Sequence, residues 1–409
     1  MLKDDCLYIV KEAIARVLPD EAVKRALGGR EFPDGRLILV SVGKAAWSMA
    51  SAAHSVLGTR IDRGIVITKH GYSKGAIGDL SVREAGHPVP DADTFSATRE
   101  ALELTRGLAP EDTVLFLLSG GGSALFEAPV IPEDELRDIT RQLLACGADI
   151  VEMNTVRKRL SGVKGGRFAR HCAPARVFTV VLSDIIGDPL DMIASGPAYP
   201  DASTCADAVR IAEKYALHLS DAAWAALKTE TPKTLSNTET HITGSVRELC
   251  AAAAGACREL GYEPQVLTDC LDCEAREAGR FLASIARSYR DTGRSLAFIA
   301  GGETVVHITG RGRGGRNQEL ALAAADGIAG LEDTAVFSVG SDGTDGPTDA
   351  AGGYADGGSL AVLRALGFDT YDVLRRNDSY TALKAVDSLI FTGATGTNVN
   401  DVAVILIKR

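Results

Sequence analysis

The sequence predicts an α/β protein of more than one domain, and three observations carry the prediction. Short apolar runs, each followed by a Gly- or Asp-bearing turn and then a helical stretch, recur along most of the chain. Its 409 residues exceed what a single hydrophobic core usually organises. The 45% hydrophobic content contains no apolar run near the roughly 18 residues a membrane span needs, so a soluble, folded chain is expected.

The elements follow in order. Leu7, Val10, Ile14, Val17 and Leu18 share one helical face at the N-terminus, in a stretch too acidic and interrupted for a signal peptide, which points to the cytoplasm. Leu37 to Val42 is a buried strand, Gly43-Lys44 a turn, and Ala45 onward a small-residue helix with Lys44 at its start. Further strands are expected at 64–71 and 82–90, and 112–126 reads as a central strand entering a glycine loop. Leu136, Ile139, Leu143 and Leu144 give the next helix, with Pro132 and three acids suiting its first turn. A strand at Arg176 to Leu182 leads into a loop rich in Gly, Pro and Asp. Residues 228–241 lose apolar periodicity, so a domain junction is expected there, giving domains 1–235 and 236–409. Beyond it come a helix through Val246 and Leu249, a strand at Pro264 to Leu267, a helix to Tyr289 and a second run of strands and glycine turns.

Composition narrows the function. A formal charge of −10 with 5% aromatics offers no footprint for nucleic acid. The eight cysteines are scattered and read as reduced thiols; Cys270 and Cys273 form a CxxC without a second pair at zinc spacing. The 43 glycines mark tight turns or close approaches.

Five motifs could carry chemistry. Ser119, Gly120, Gly121, Gly122 and Ser123 leave an apolar strand with little side-chain bulk, so their N–H groups could cradle a phosphate or carboxylate. Arg157, Lys158, Arg159, Lys164 and Arg167 crowd together after Asn154, a density that suits an anion. Two acidic turns, Asp184 with Asp188 and Asp342 with Asp345, offer hard oxygen ligands for Mg²⁺, against the ordinary reading as Asx turns. Gly310, Gly312 and Gly315 satisfy G-x-G-x-x-G between an expected strand at Val305 to Thr309 and a helix. Arg311, Arg313 and Arg316 make that loop cationic, which favours a phosphate loop over a dinucleotide fingerprint. Among the histidines, only His87 is kept as a pocket-lining candidate.

In order, SVGKAAWSMA, EAGHPVPDADT, LLSGGGSALFEAP, EMNTVRKRLSGVKGGRFA, LSDIIGDPLDMIASGP, GGETVVHITGRGRGGRNQELALA and SVGSDGTDGPTDAAGG closely resemble the class II glycerate 2-kinases, which carry a C-terminal MOFRL domain. The resemblance runs from about residue 5 to 405. It implies an N-terminal Rossmann-like parallel sheet, a smaller C-terminal domain whose MOFRL region covers about 295–405, and an active site in the cleft between them. It also implies ATP- and Mg²⁺-dependent phosphorylation of D-glycerate at its 2-hydroxyl. Carried over by position, the catalytic pair falls on Lys44 and Arg316. Asn154, Arg157, Lys164, Asp184, Asp188, Glu303, Asn317, Asp342 and Asp345 fall on polar motif positions. The expected partners are D-glycerate and ATP, with no nucleic acid or membrane, in a monomer or homodimer. The alternatives are an NAD(P)H-dependent hydroxypyruvate reductase and a non-catalytic nucleotide or sugar-acid binding protein.

Overall fold

A computed structural model describes residues 2–409, which form two compact units. The first comprises residues 19–183 and 188–243. It is organised on six parallel strands: β1 (Leu37–Val42), β2 (Arg63–Lys69), β3 (Ser81–Ala85), β4 (Thr113–Leu118), β5 (Arg176–Val181) and β6 (Thr238–Ile242). Their spatial order is β3-β2-β1-β4-β5-β6. This is the doubly wound nucleotide-binding order, whose direction of travel reverses between β1 and β4. Every residue of β1 and β4 is buried, as the near-continuous apolar runs LILVSV and TVLFLL require for strands covered on both faces.

The second unit takes the N-terminal helix Leu2–Arg16, residues 184–187 and residues 244–409. Its strands are β7 (Glu263–Leu271), β8 (Leu296–Gly302), β9 (Thr334–Gly340), β10 (Gly352–Asp356), β11 (Leu389–Ile390) and β12 (Asp401–Ile407), ordered β11-β10-β9-β12-β8-β7. Only β7 and β8 run parallel; the other neighbours are antiparallel. Helices Ala275–Ser288 and Arg316–Ile328 cover one face, burying Leu282, Leu320 and Ile328 with Phe298, Val336 and Ile405. They approach closely because Gly279 lies against the Leu320 carbonyl and Gly327 against the Ala283 methyl. Helix Val246–Glu259 lies on the opposite face, its Cys250 against Gly301.

Some details depart from the sequence reading. The polar stretch at 228–241 is not a junction: Thr238–Ile242 pairs with β5 and closes the first sheet, and the chain crosses to the second unit at Gly244. It reads as a loop because an edge strand half open to water needs no apolar alternation. The first 18 residues also belong with the C-terminal unit, where Asp5 accepts hydrogen bonds from Tyr262 Oη at 2.6 Å and Lys408 Nζ at 2.7 Å. Val305 to Thr309 is not a strand either, since Val305 makes a single bridge to Glu274.

Candidate active site

At the topological switch point of the first sheet, β1 and β4 each end in a glycine-bearing turn, and the two turns interlock. Lys44 N–H donates to the Gly120 carbonyl at 2.9 Å, and the Ser119 hydroxyl accepts from Ala45 N–H at 3.1 Å. Gly43 holds φ at 126°, and a Cβ there would fall 2.1 Å from Ser119 Oγ, so only glycine fits. Ser119 is buried and acts as the staple between the turns. Among the described residues, the N–H groups of Gly120, Gly121, Gly122 and Ser123 donate to no backbone carbonyl and no side chain. Four consecutive unspent donors beside an exposed lysine form an anion cradle.

His87 completes the rim. A Cβ on Gly121 would lie 3.0 Å from the His87 ring and 3.3 Å from Lys44 Cγ, which puts all three together. Burial, and then the nearby Lys44 and Lys69 charges, hold the imidazole pKa below its ordinary value, which favours the neutral ring.

The cations of the 157–167 stretch do not reach out to a ligand as their density suggested. Lys158 and Arg159 pair with Asp201, both being 2% exposed or less, and Lys158 also reaches Asp191 at 3.3 Å. Arg167 donates to the carbonyls of Arg159 and Ser161. Lys164, wholly buried, donates to Glu127 at 2.7 Å and to the Phe126 carbonyl at 2.8 Å. Burial pushes its pKa down to about 8. The chain supplies the anions itself, from the acidic loop that follows β5 and from Glu127 shortly after the glycine loop. Arg157 differs: it makes no ion pair among the described residues and donates to the Ser123 carbonyl at 3.0 Å, beneath the cradle. Asn154 lies on the same helix and joins a hydroxyl chain that reaches Ser123 through Ser195, a residue the sequence reading missed.

In the second unit Arg316 opens helix Arg316–Ile328. Its guanidinium grips Asp401 with both arms, Nε at 2.5 Å and Nη2 at 3.0 Å, and reaches Glu303 at 2.9 Å. Burial opposes the charge, but the Asp401 hydrogen bonds and the nearby Glu303 and Asp345 carboxylates outweigh it and raise the Arg316 pKa, so the cation is permanent. Asp401, the first residue of β12, carries no motif and was also missed; only its pairing across the sheet with Gly302 and Gly340 brings it here. Asp345 receives Asn317 N–H at 3.1 Å, Gln318 N–H at 2.9 Å and Asn317 Nδ2 at 3.3 Å, capping the helix. Burial raises its pKa to about 6. Asn317 Oδ1 in turn accepts from Ser338 at 2.5 Å.

The proposed metal ligands separate on this geometry. Asp345 is spent on the helix cap, and Asp342 closes an Asx turn onto Thr344 N–H at 2.9 Å. No three of Asp184, Asp188, Asp342 and Asp345 converge within ligand distance; the sole such trio among the described residues is His70, Asp91 and Asp93. Asp188 alone of the four keeps a buried carboxylate oxygen without a hydrogen-bond partner. The G-x-G-x-x-G glycines also serve the fold. Gly310 and Gly312 sit against Arg376 and Asp378, and Gly315 against Asp345, leaving no dinucleotide turn.

The arrangement is that of an anion-binding protein of the doubly wound α/β class. The DUF4147 domain of unknown function matches residues 5–228, and the MOFRL family matches residues 296–401. The chain is 53% identical to a D-glycerate 2-kinase of Thermotoga maritima over 99% of its length and 98% of that protein. It is 40% identical to a putative hydroxypyruvate reductase of Agrobacterium vitis over 98% of the chain and 93% of the relative. The crystal structure of glycerate kinase from Thermotoga maritima superposes with a TM-score of 0.95, covering 99% of each chain at 53% identity. A Pyrococcus horikoshii protein superposes at 0.94, covering 100% of this chain and 98% of its own at 38% identity. The chain belongs to the MOFRL-type glycerate 2-kinase family.

Proposed function

We propose that this protein transfers the γ-phosphoryl group of ATP to the 2-hydroxyl of D-glycerate, giving 2-phosphoglycerate and ADP. The observation that carries the reading is the row of unspent N–H groups from Gly120 to Ser123, set against Lys44 at the β1/β4 switch point. A preorganised cradle of this kind stabilises phosphate or carboxylate charge without reorganising during the reaction. Oxygen of the glycerate hydroxyl attacks phosphorus, the bond between phosphorus and the ADP oxygen breaks with its electron pair leaving on ADP, and the hydroxyl proton passes to solvent water. We assign charge neutralisation on the transferring group to Lys44 beside the cradle and, from its position in the family motif alone, to Arg316. Glu303 and Asp401 hold Arg316 in a fixed fork, which supports aim over mobility. Asn317 follows it on the first turn, oriented by Asp345 and Ser338.

Mg²⁺ fits this chain best at Asp188, whose orphan oxygen needs a partner, with Asp184 in the same loop. Bound there, the ion would neutralise phosphate oxygens. A reductase reading has less support: the glycine fingerprint is packed against the chain's own backbone, and the arginines around it suit phosphate.

Purified protein incubated with D-glycerate, Mg²⁺ and ATP should yield a 2-phosphoglycerate resonance by ³¹P NMR. A 3-phosphate ester would overturn the regiochemistry, and NADH oxidation with hydroxypyruvate but no phosphate ester would overturn the kinase.

A further inference from the structure

Ser195 is fully buried and bridges two functional candidates: its hydroxyl donates to Asn154 Oδ1 at 2.9 Å and lies 3.0 Å from the Ser123 hydroxyl. Proton directions along this chain are fixed from its far end. Asn154 Nδ2 faces the thioether of Met192 at 3.9 Å. A thioether accepts but cannot donate, so the amide nitrogen belongs on that side and the amide oxygen on the Ser195 side. An amide oxygen only accepts, so the single proton of Ser195 is spent on it. The Ser123–Ser195 bond can then form only if Ser123 donates. Ser123, half-buried at the end of the anion cradle, has its one proton turned inward, and no described group donates to its oxygen.

We infer that Ser195, through Asn154 and Met192, sets Ser123 as a hydrogen-bond acceptor, so that Ser123 reads a hydroxyl group of the substrate while the neighbouring N–H groups take its anionic end. An outward-facing acceptor repels phosphate and carboxylate oxygens and rewards a ligand O–H. The inference deepens the proposed function and rests on it for the identity of the ligand. Ser195 touches no ligand and is a positioning residue. The surrounding structure holds its backbone in an uncommon conformation. Ala194 and Ser195 both lie in the left-handed region, at φ 51° and 62°, where non-glycine residues carry strain. The Ala194 methyl packs where a Cβ on Gly122 would stand, which locks this segment against the glycine loop.

Binding of D-glycerate, D-lactate and 3-hydroxypropanoate to the full chain, followed by calorimetry, tests this directly. D-lactate lacks the 3-hydroxyl and 3-hydroxypropanoate lacks the 2-hydroxyl, so the weaker analogue identifies the group Ser123 reads. The wild type should prefer D-glycerate to that analogue by about tenfold, one neutral hydrogen bond's worth. In Ser195→Ala that preference should shrink to about twofold or less, with affinity for the analogue itself nearly unchanged. Ser195→Gly gives the same readout in a variant whose left-handed backbone suits glycine, so misfolding cannot mask it. A preference retained in both variants, or equal loss of affinity for all three acids, would overturn the inference. Failure of the kinase reading is seen separately, as absence of phosphorylated product with the hydroxyl preference intact.

Discussion

The two units solve the handling of anions in opposite ways. At the β1/β4 switch point, binding capacity is left open: among the described residues, four backbone donors and the exposed Lys44 side chain have no partner that consumes them. At the start of helix Arg316–Ile328, the cation is already engaged by Asp401 and Glu303, and the helix N–H groups by Asp345. The first region takes its local shape from glycine, with Arg157 and Lys164 holding carbonyls beneath it and leaving its N–H groups open. The second is shaped by charge, so changes there alter stability and chemistry together. A residue's role is therefore read from what its polar atoms are already doing, more than from its type.

The comparison can be broken most severely from beneath the glycine loop. Lys164→Ala strands Glu127 in the core and should cost about 3–5 kcal/mol in urea denaturation. Adding Glu127→Leu should restore much of it, because the remaining cost is packing. Gly43→Ala comes next, at about 3 kcal/mol, since it combines a strained φ with a clash on Ser119. Unchanged stability there would show that the interlocked turns are soft.

The contrast is sharpest in a matched pair of variants. Lys44→Ala and Arg316→Ala should each lower kcat about 10²-fold or more. Only Arg316→Ala should also lower Tm, because it leaves Asp401 buried and unpaired. Equal Tm values would collapse the distinction between the units. The smallest effect is a pH slope. Asp345, with its pKa raised to about 6, holds its proton more tightly folded than unfolded. Stability should therefore fall as pH rises from about 4 to 6, by on the order of 2 kcal/mol, and level off above. Asp345→Asn should remove that part of the slope, as measured by denaturation at a series of pH values.

Much of the architecture was legible in the residues. The strands β1, β4 and β5 announce themselves as near-continuous apolar runs, and the glycine turn after β4 stands out in the residues before the sheet order places it at the switch point. The His87 ring lies 3.0 Å from where a Cβ on Gly121 would stand, a proximity the chain between them does not announce. What sequence spacing cannot encode is partnership across long separations. Lys158 looks like Lys44 until Asp201 is placed beside it, and Asp345 looks like a metal ligand until Asn317 and Gln318 aim their N–H groups at it. Asp401 and Ser195 carry no signature because each acts through a neighbour brought in by the fold.

The buried cationic stretch has a practical corollary. Arg157, Lys158, Arg159, Lys164 and Arg167 are cleavage positions for trypsin, yet each is at most 8% exposed in the folded chain. A protease can reach them only when helix Ile150–Leu160 and the turn after it open, so the rate of cutting between 157 and 167 reports local opening beneath the glycine loop. Ligands that seat on that loop should slow the nick at this segment, giving a label-free gauge of occupancy in crude extracts where turnover is masked by other kinases.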